Sequence, residues 1–366
     1  MSSRSHPVSS SPSSTLEERA LALPATRPIF WRVVGGVLVL LLVSGLALVS
    51  GAASIPLRET VLILFAGLPG IHIDAGWPAS WERIIWDIRL PRIALAGLVG
   101  ATLAFAGAAY QGVLRNPLAD PYLIGVAAGA GFGATLGFLI PLAIPFVLLS
   151  PVPVFAFVGA ITAVTVAYRL ARIGTRVPTT TLILAGVAIS ALASAGTMFL
   201  LMLIDDNLRS VISWIMGSLN GSTWGNVWLL LPYTVVVAVV VLAHARTLNV
   251  MQLDEDQAHS LGVNVERVKL IVIGSASLAT AAAVSVSGLI GFVGLVVPHM
   301  MRLVWGPDYR RLLPLTMLYG ASFLILSDLI ARTVISPGEM PVGVVTAFFG
   351  APFFLYLLRR SRKTYM

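Results

Sequence analysis

The sequence predicts an all-α integral membrane protein of about ten transmembrane helices, with both termini on the cytoplasmic side. Three observations carry this. The chain is 57% hydrophobic and only 11% charged, against roughly 25% charged in an average soluble domain. Apolar segments of about 20 residues, the length that crosses a bilayer, recur along it. Its Lys and Arg fall on one set of connecting segments, as topology requires. That last pattern explains the net charge of +8 without nucleic acid. The chain has no cysteine, so disulfides, thiolate metal sites and cysteine nucleophiles are excluded.

Residues 1–28 stand apart. MSSRSHPVSSSPSS is rich in Ser and Pro, cannot bury a core, and reads as a disordered cytoplasmic tail rather than a signal peptide. The first apolar run begins late, near Val33, and is long enough to span. Residues 29–366 then form one ten-helix domain, with spans expected at 33–53, 93–113, 122–140, 152–170, 180–204, 227–245, 270–290, 291–304, 312–334 and 340–358. The eighth is short, about 21 Å against a hydrocarbon core of about 30 Å. It also contains Pro298 and His299. Such a segment survives at membrane depth only when protein or a cavity surrounds it, so it is expected inside the bundle.

Placing the N-terminus inside puts 18 of the 24 Lys and Arg on inner segments. The outer six are Arg58, Arg83, Arg89, Arg92, Arg209 and Arg332. Helix packing has its own signature. Gly100, Ala104, Ala108 and Gly112 fall four apart on the second span, and Gly129, Gly133 and Gly137 do so on the third. Small residues at that spacing let helix backbones approach closely in lipid.

The source of energy is the next question. Ion-coupled carriers place carboxylates or histidines inside the membrane, and here only Asp328 and His299 qualify. The phosphate-binding loop is missing too: the two lysines, Lys269 and Lys363, do not follow glycine. An energy-supplying partner is therefore expected. Its docking place is suggested by the inner segment RTLNVMQLDEDQAHSLGVNVERVK. There Asp254, Glu255 and Asp256 cluster at the start of a short helix, Gly262 is placed to stop it, and Asn264 to cap the next. The rival readings are an ion-coupled secondary transporter, which the scarcity of intramembrane carboxylates disfavours, and an intramembrane enzyme, for which no catalytic constellation appears.

Five segments resemble the permease subunits of type II ATP-binding-cassette importers, which take up iron–siderophores, haem and cobalamin. They are RLPRIALAGLVGATLAFAGAAYQGVLRNPLADPYLIG at 89–125, WIMGSLNG at 214–221, LDEDQAHSLGV at 253–263, GFVGLVVPHMMR at 291–302 and GEMPVGVVTAFFGAPFFLYLL at 338–358. The long Ser/Pro tail departs from the family pattern but lies outside the core. The resemblance implies a multi-pass protein of a prokaryotic plasma membrane that catalyses no bond change and needs no cofactor or metal. It implies two permeases, identical or paralogous, around one pathway. Two cytoplasmic ATPase subunits sit below, and a substrate-binding protein docks from outside. The cargo is a metal chelate, an iron–siderophore first, with cobalamin or haem the alternatives.

Roles come over residue by residue. Arg89, Arg92 and Arg332 match outer arginines that meet glutamates of the binding protein, forming a basic outer platform. Arg92, beside Pro91, is expected in the first turn of its helix, where a cation opposes the dipole. Asp254, Glu255, Asp256, Leu261 and Gly262 match the ATPase-coupling segment. Asn116 and Leu118 in RNPLADP, with Thr179 and Thr180 in VPTTT, match the cytoplasmic gate, where Pro117, Pro121 and Pro178 limit backbone freedom. His299 is expected to make a structural hydrogen bond, and Asp328 to pair with a neighbouring helix or backbone group.

Overall fold

Long apolar runs without charge have no choice in lipid but to close their backbone hydrogen bonds internally, and the chain does so as helices. In the computed structural model the described residues are 29–51, 53–67, 76–140, 151–204, 207–253, 255–336 and 338–362. The tail at 1–28, Asp254 and Lys363 lie outside them. Among the described residues there is no named strand. The helices are α1 (Ile29–Val49), α2 (Leu57–Ala66), α3 (Ala79–Val113), α4 (Val126–Leu139), α5 (Pro151–Ala171), α6 (Thr179–Leu201) and α7 (Leu208–Ile215). They continue with α8 (Trp224–Ala243), α9 (Ala245–Val250), α10 (Glu255–Ser260), α11 (Val265–Ser287), α12 (Val293–Trp305), α13 (Tyr309–Thr333) and α14 (Val342–Arg362).

Each expected span falls on a helix. Seven helices (α1, α3, α5, α6, α8, α11 and α13) are long and apolar enough to cross a membrane, while α4, α12 and α14 are shorter apolar helices. Three short helices outside the expected spans, α2, α7 and α9, were not anticipated.

α3 is the axis of the bundle. Most of its most apolar window is buried, 83%, against 17% for α6 and 22% for α1. It packs on α13, α11, α12 and α8. Small residues make this possible. A Cβ on Gly100 would land on the Gly320 carbonyl of α13, and one on Gly107 would land on Gly294 of α12. The third-span stripe works likewise: Gly129 and Gly133 lie against the backbone of Gly159 and Phe155 on α5. Dispersion between close backbones replaces the hydrophobic drive that lipid removes.

α3 corrects one expectation. The helix begins at Ala79, not at Ile93, and passes through a wide π-helical stretch at Ile84–Arg89 before continuing at Leu90. Arg92 is therefore well inside the helix, and no N-terminal dipole opposes its charge. Pro91 sits just after the wide turn. Its ring would clash with the carbonyl four residues back in a regular helix, and a local widening of the ladder is a common accommodation.

The break between α11 and α12 shows how irregular backbone is tolerated. Gly288 and Phe292 both take left-handed φ of 68°. The exposed carbonyls find protein donors: Ser218 N–H reaches the Ser287 carbonyl at 2.9 Å and the Tyr122 hydroxyl reaches Ile290 at 3.0 Å. The expectation that α12 sits inside the bundle holds for one face, with Val293, Gly294, Val297 and Met301 buried. The other face is open, with Leu303 60% and Val304 63% exposed.

Candidate functional site

The expected residues fall in three groups, two of which include residues at the ends of α3. At its N-terminal end, Arg92 donates through Nε to both Asp328 oxygens at 3.0 Å and through Nη2 to Oδ1 at 2.8 Å. Its Nη1 donates to Glu339 at 3.0 Å and to Asn220 at 3.1 Å. Arg332, one turn after Asp328 on α13, holds Nε 3.7 Å from the same carboxylate. It donates through Nη2 to the Ala47 carbonyl. Arg89 donates to the carbonyls of Leu48 at 2.6 Å, Val49 at 3.1 Å and Ala53. Arg89 and Arg332 thus cap the C-terminal end of α1, where cations are favoured by orphan carbonyls.

In a single copy the guanidinium groups of Arg89 and Arg332 turn inward onto the end of α1. Arg89 is 3% exposed and Arg332 8%. The three arginines do converge, lining one cavity of about 220 Å³ with Glu339. Asp328 pairs as expected, with an arginine of a neighbouring helix. Glu339 and Asn220 were missed by sequence reasoning. Both lie inside the quoted motifs GEMP and SLNG, and a lone carboxylate in so apolar a segment was the available signal.

Just past the C-terminal end of α3 lie Asn116 and Leu118, two of the residues expected at the gate. Arg115 ends the helix with φ 50°. Asn116 then accepts from Leu118 N–H at 2.9 Å through its side chain, fixing a tight turn. Asp120 accepts from Tyr122 N–H at 2.8 Å and caps a short 3-10 turn at Pro121–Ile124. Burial pushes the Asp120 carboxyl up to about 6, against the pull of that N–H. On the other gate loop, Pro178 leads directly into α6, whose first residues are Thr179, half-buried, and Thr180, exposed. Asn116 and Leu118 thus sit on a loop, and Thr179 and Thr180 in the first turn of a helix. His299 lies against the ring of Phe353, and its buried Nδ1 has no hydrogen-bond partner among the described residues.

The coupling segment folds as its residue types dictate. α10 starts at Glu255 and is closed by Gly262, which takes φ 80°. The Gly262 and Val263 N–H groups return to His259 at 2.9 Å and Ala258 at 3.1 Å, the two-bond stop that a left-handed glycine permits. Asn264 then caps α11 by accepting from Arg267 N–H at 3.0 Å. Leu261 projects from the turn, 65% exposed.

The FecCD transport family profile matches residues 37–360. The chain belongs to the FecCD transport family. These are permease subunits of type II ATP-binding-cassette importers, so the protein is a membrane transport subunit and not itself an enzyme. It is 44% identical to the cobalamin import system permease protein BtuC of Halobacterium salinarum, over 86% of each chain. It is 41% identical to the hemin transport system permease protein HmuU of Yersinia pestis, over 78% of this chain and 87% of that one. Its fold is similar to that of a metal-chelate type ABC transporter solved in an inward-facing conformation. The TM-score there is 0.76 at 31% identity, covering 89% of this chain and 98% of the other.

Proposed function

We propose that this protein imports a metal chelate across the plasma membrane of a prokaryote. All ten apolar helices cross, both termini are cytoplasmic, and transport proceeds by alternating access driven by two separate ATPase subunits. The observation that carries the reading is a division of labour in the bundle: a charge knot at the N-terminal end of α3, and a glycine-stopped turn with a projecting leucine after α10, whose leading segment is fastened to the other end of α3. Asp254, Glu255, Asp256, Leu261 and Gly262 dock the ATPase. Asn116, Leu118, Thr179 and Thr180 form the inner gate. Arg89, Arg92 and Arg332 orient an extracytoplasmic binding protein through its carboxylates.

The permease works as a pair, with itself or with a paralogue. Support comes from apolar surface that one copy leaves open, on α6 at Leu184 and Leu192 and on α12 at Leu303 and Val304. Lipid can cover part of it, but a lone bundle offers no closed pathway. The cargo we assign is an iron–siderophore, with cobalamin and haem in the same chelate class. The names of the relatives support the class rather than the member.

The test is reconstitution with the cognate ATPase and binding protein. Replacing Leu261 and Gly262 with bulky charged residues should abolish ATP-driven transport while membrane insertion persists. Normal transport by that variant refutes the coupling assignment. Transport by the permease alone, driven by an ion gradient, refutes the importer assembly.

A further inference from the structure

The segment that carries α10 is fastened to the bundle on both sides, and each fastening runs to a different gate loop. On the leading side Gln252 donates through Nε2 to the carbonyl of Gly112, in the last turn of α3, at 3.1 Å. The same amide donates to Leu248 at 3.1 Å, which fixes its orientation. Arg115 returns the contact, donating through Nη1 to the Leu253 carbonyl at 3.2 Å. Two hydrogen bonds therefore cross in opposite directions between residues 252–253 and residues 112–115. Asn116 follows immediately.

On the trailing side Glu266, in the first turn of α11, accepts from Val177 N–H through Oε2 at 3.0 Å. Its Oε1 pairs with Lys269 at 3.3 Å. Lys269 is only 3% exposed, so the carboxylate is held from behind while it reaches forward. Val177 is also buried, and Pro178 and Thr179 follow it. The backbone there has little slack, because proline fixes its own φ and restricts the residue before it.

Resting on the importer reading above, we infer that Gln252, Arg115 and Glu266 are positioning residues that transmit motion of the coupling turn to both gate loops. Between the two fastenings lie α10 and its glycine stop. A shift imposed at Leu261 pulls on residues 112–116 through Gln252 and Arg115, and on residues 177–180 through Glu266. The arrangement gives one input two outputs, and both halves of the gate answer the same ATPase event.

The experiment uses the complete complex in proteoliposomes and reads transport per ATP hydrolysed. Glu266→Ala and Gln252→Ala should each lower that ratio by about two- to thirtyfold, the range that disrupted coupling networks give. ATP hydrolysis and complex assembly should persist. Glu266→Gln retains an oxygen for Val177 N–H and should recover most of the ratio, a rescue that a purely stabilising role does not predict. Wild-type ratios in both alanine variants overturn the inference. If either variant fails to assemble, spin labels at Thr180 in the permease alone supply the second readout. Their distance distribution should broaden in Glu266→Ala, and an unchanged distribution overturns the inference as well. Absence of ATP-driven transport in the wild-type complex would instead overturn the importer reading, and with it the role of these residues.

Discussion

Removing Asp328 is the sharpest perturbation of the charge knot. Its side chain is 3% exposed and that of Arg92 12%. Arg92 spends Nε and Nη2 on it, keeping Nη1 for Glu339 and Asn220. Asp328→Leu would leave three guanidiniums sharing one carboxylate. Breaking a buried pair by deleting one partner costs about 3–5 kcal/mol. The retained Nη1 bonds place the cost near the low end, and the Arg332 Nε, 3.7 Å from the same carboxylate, pushes it back up. The double variant Arg92→Met/Asp328→Leu removes both charges and should be less destabilised than Asp328→Leu alone, since a buried pair replaced by apolar groups is often near neutral. Unfolding in graded SDS, measured on the permease in mixed micelles, gives the ranking. A single variant within about 0.5 kcal/mol of wild type, the usual range for an inconsequential surface change, would refute the reasoning. So would a double variant worse than the single. Loss of transport with stability intact would return Asp328 to the role of an ion relay.

The other predictions are smaller. Gly107→Ala should destabilise by about 1–3 kcal/mol or more through overpacking, because its Cβ meets the Gly294 backbone. Gly45→Ala has open space and should be neutral or slightly stabilising through helix propensity. Thermal shift of the pair in nanodiscs checks this. Asp120 holds its proton up to about pH 6 in the folded chain against an ordinary 3.8. Folding therefore takes up a proton between those values, and stability should fall as pH rises from about 4 to 6 and then level off. Asp120→Asn, which keeps the carbonyl that caps Tyr122, should flatten that profile and be the more stable protein at pH 7. Glu339→Gln should remove a negative charge beside the Arg92 Nη1 and raise binding-protein affinity by up to about fivefold, the scale of an exposed ion pair. The gain should vanish in high salt, and surface plasmon resonance at two ionic strengths measures it.

Helix positions were legible because lipid leaves so few options. Apolar length placed a helix under each expected span, seven of them long enough to cross a membrane, and four-residue spacing of Gly and Ala identified the faces where α3 meets α13 and α4 meets α5. Helix ends were harder. α3 starts 14 residues before the expected span, since Trp81, Glu82, Arg83 and Asp87 are too polar for a hydropathy reading yet helical at the interface. Glycine and asparagine at 262 and 264 read correctly as stop and cap, because those roles depend on local backbone alone. The partners of Arg92 were not legible. Asp328 and Glu339 lie 236 and 247 residues away, and no local rule connects charges across that distance. Gln252 and Glu266 escaped notice for the same reason: each acts on a backbone group of a remote loop.

The capping of α1 also sets a timetable for biogenesis. α1 is made before α13, yet the groups that close its C-terminal end come from Arg89 and from Arg332, the latter 285 residues beyond Ala47. At 5–20 residues per second the ribosome needs about 15–60 s to supply that last guanidinium. Until then the end of α1 must satisfy its carbonyls with water or lipid headgroups at the membrane surface. The last of these carbonyls is thus closed only when α13 has arrived. A nascent chain arrested before residue 332 should leave the end of α1 open to proteases or water-soluble labels that the finished protein excludes.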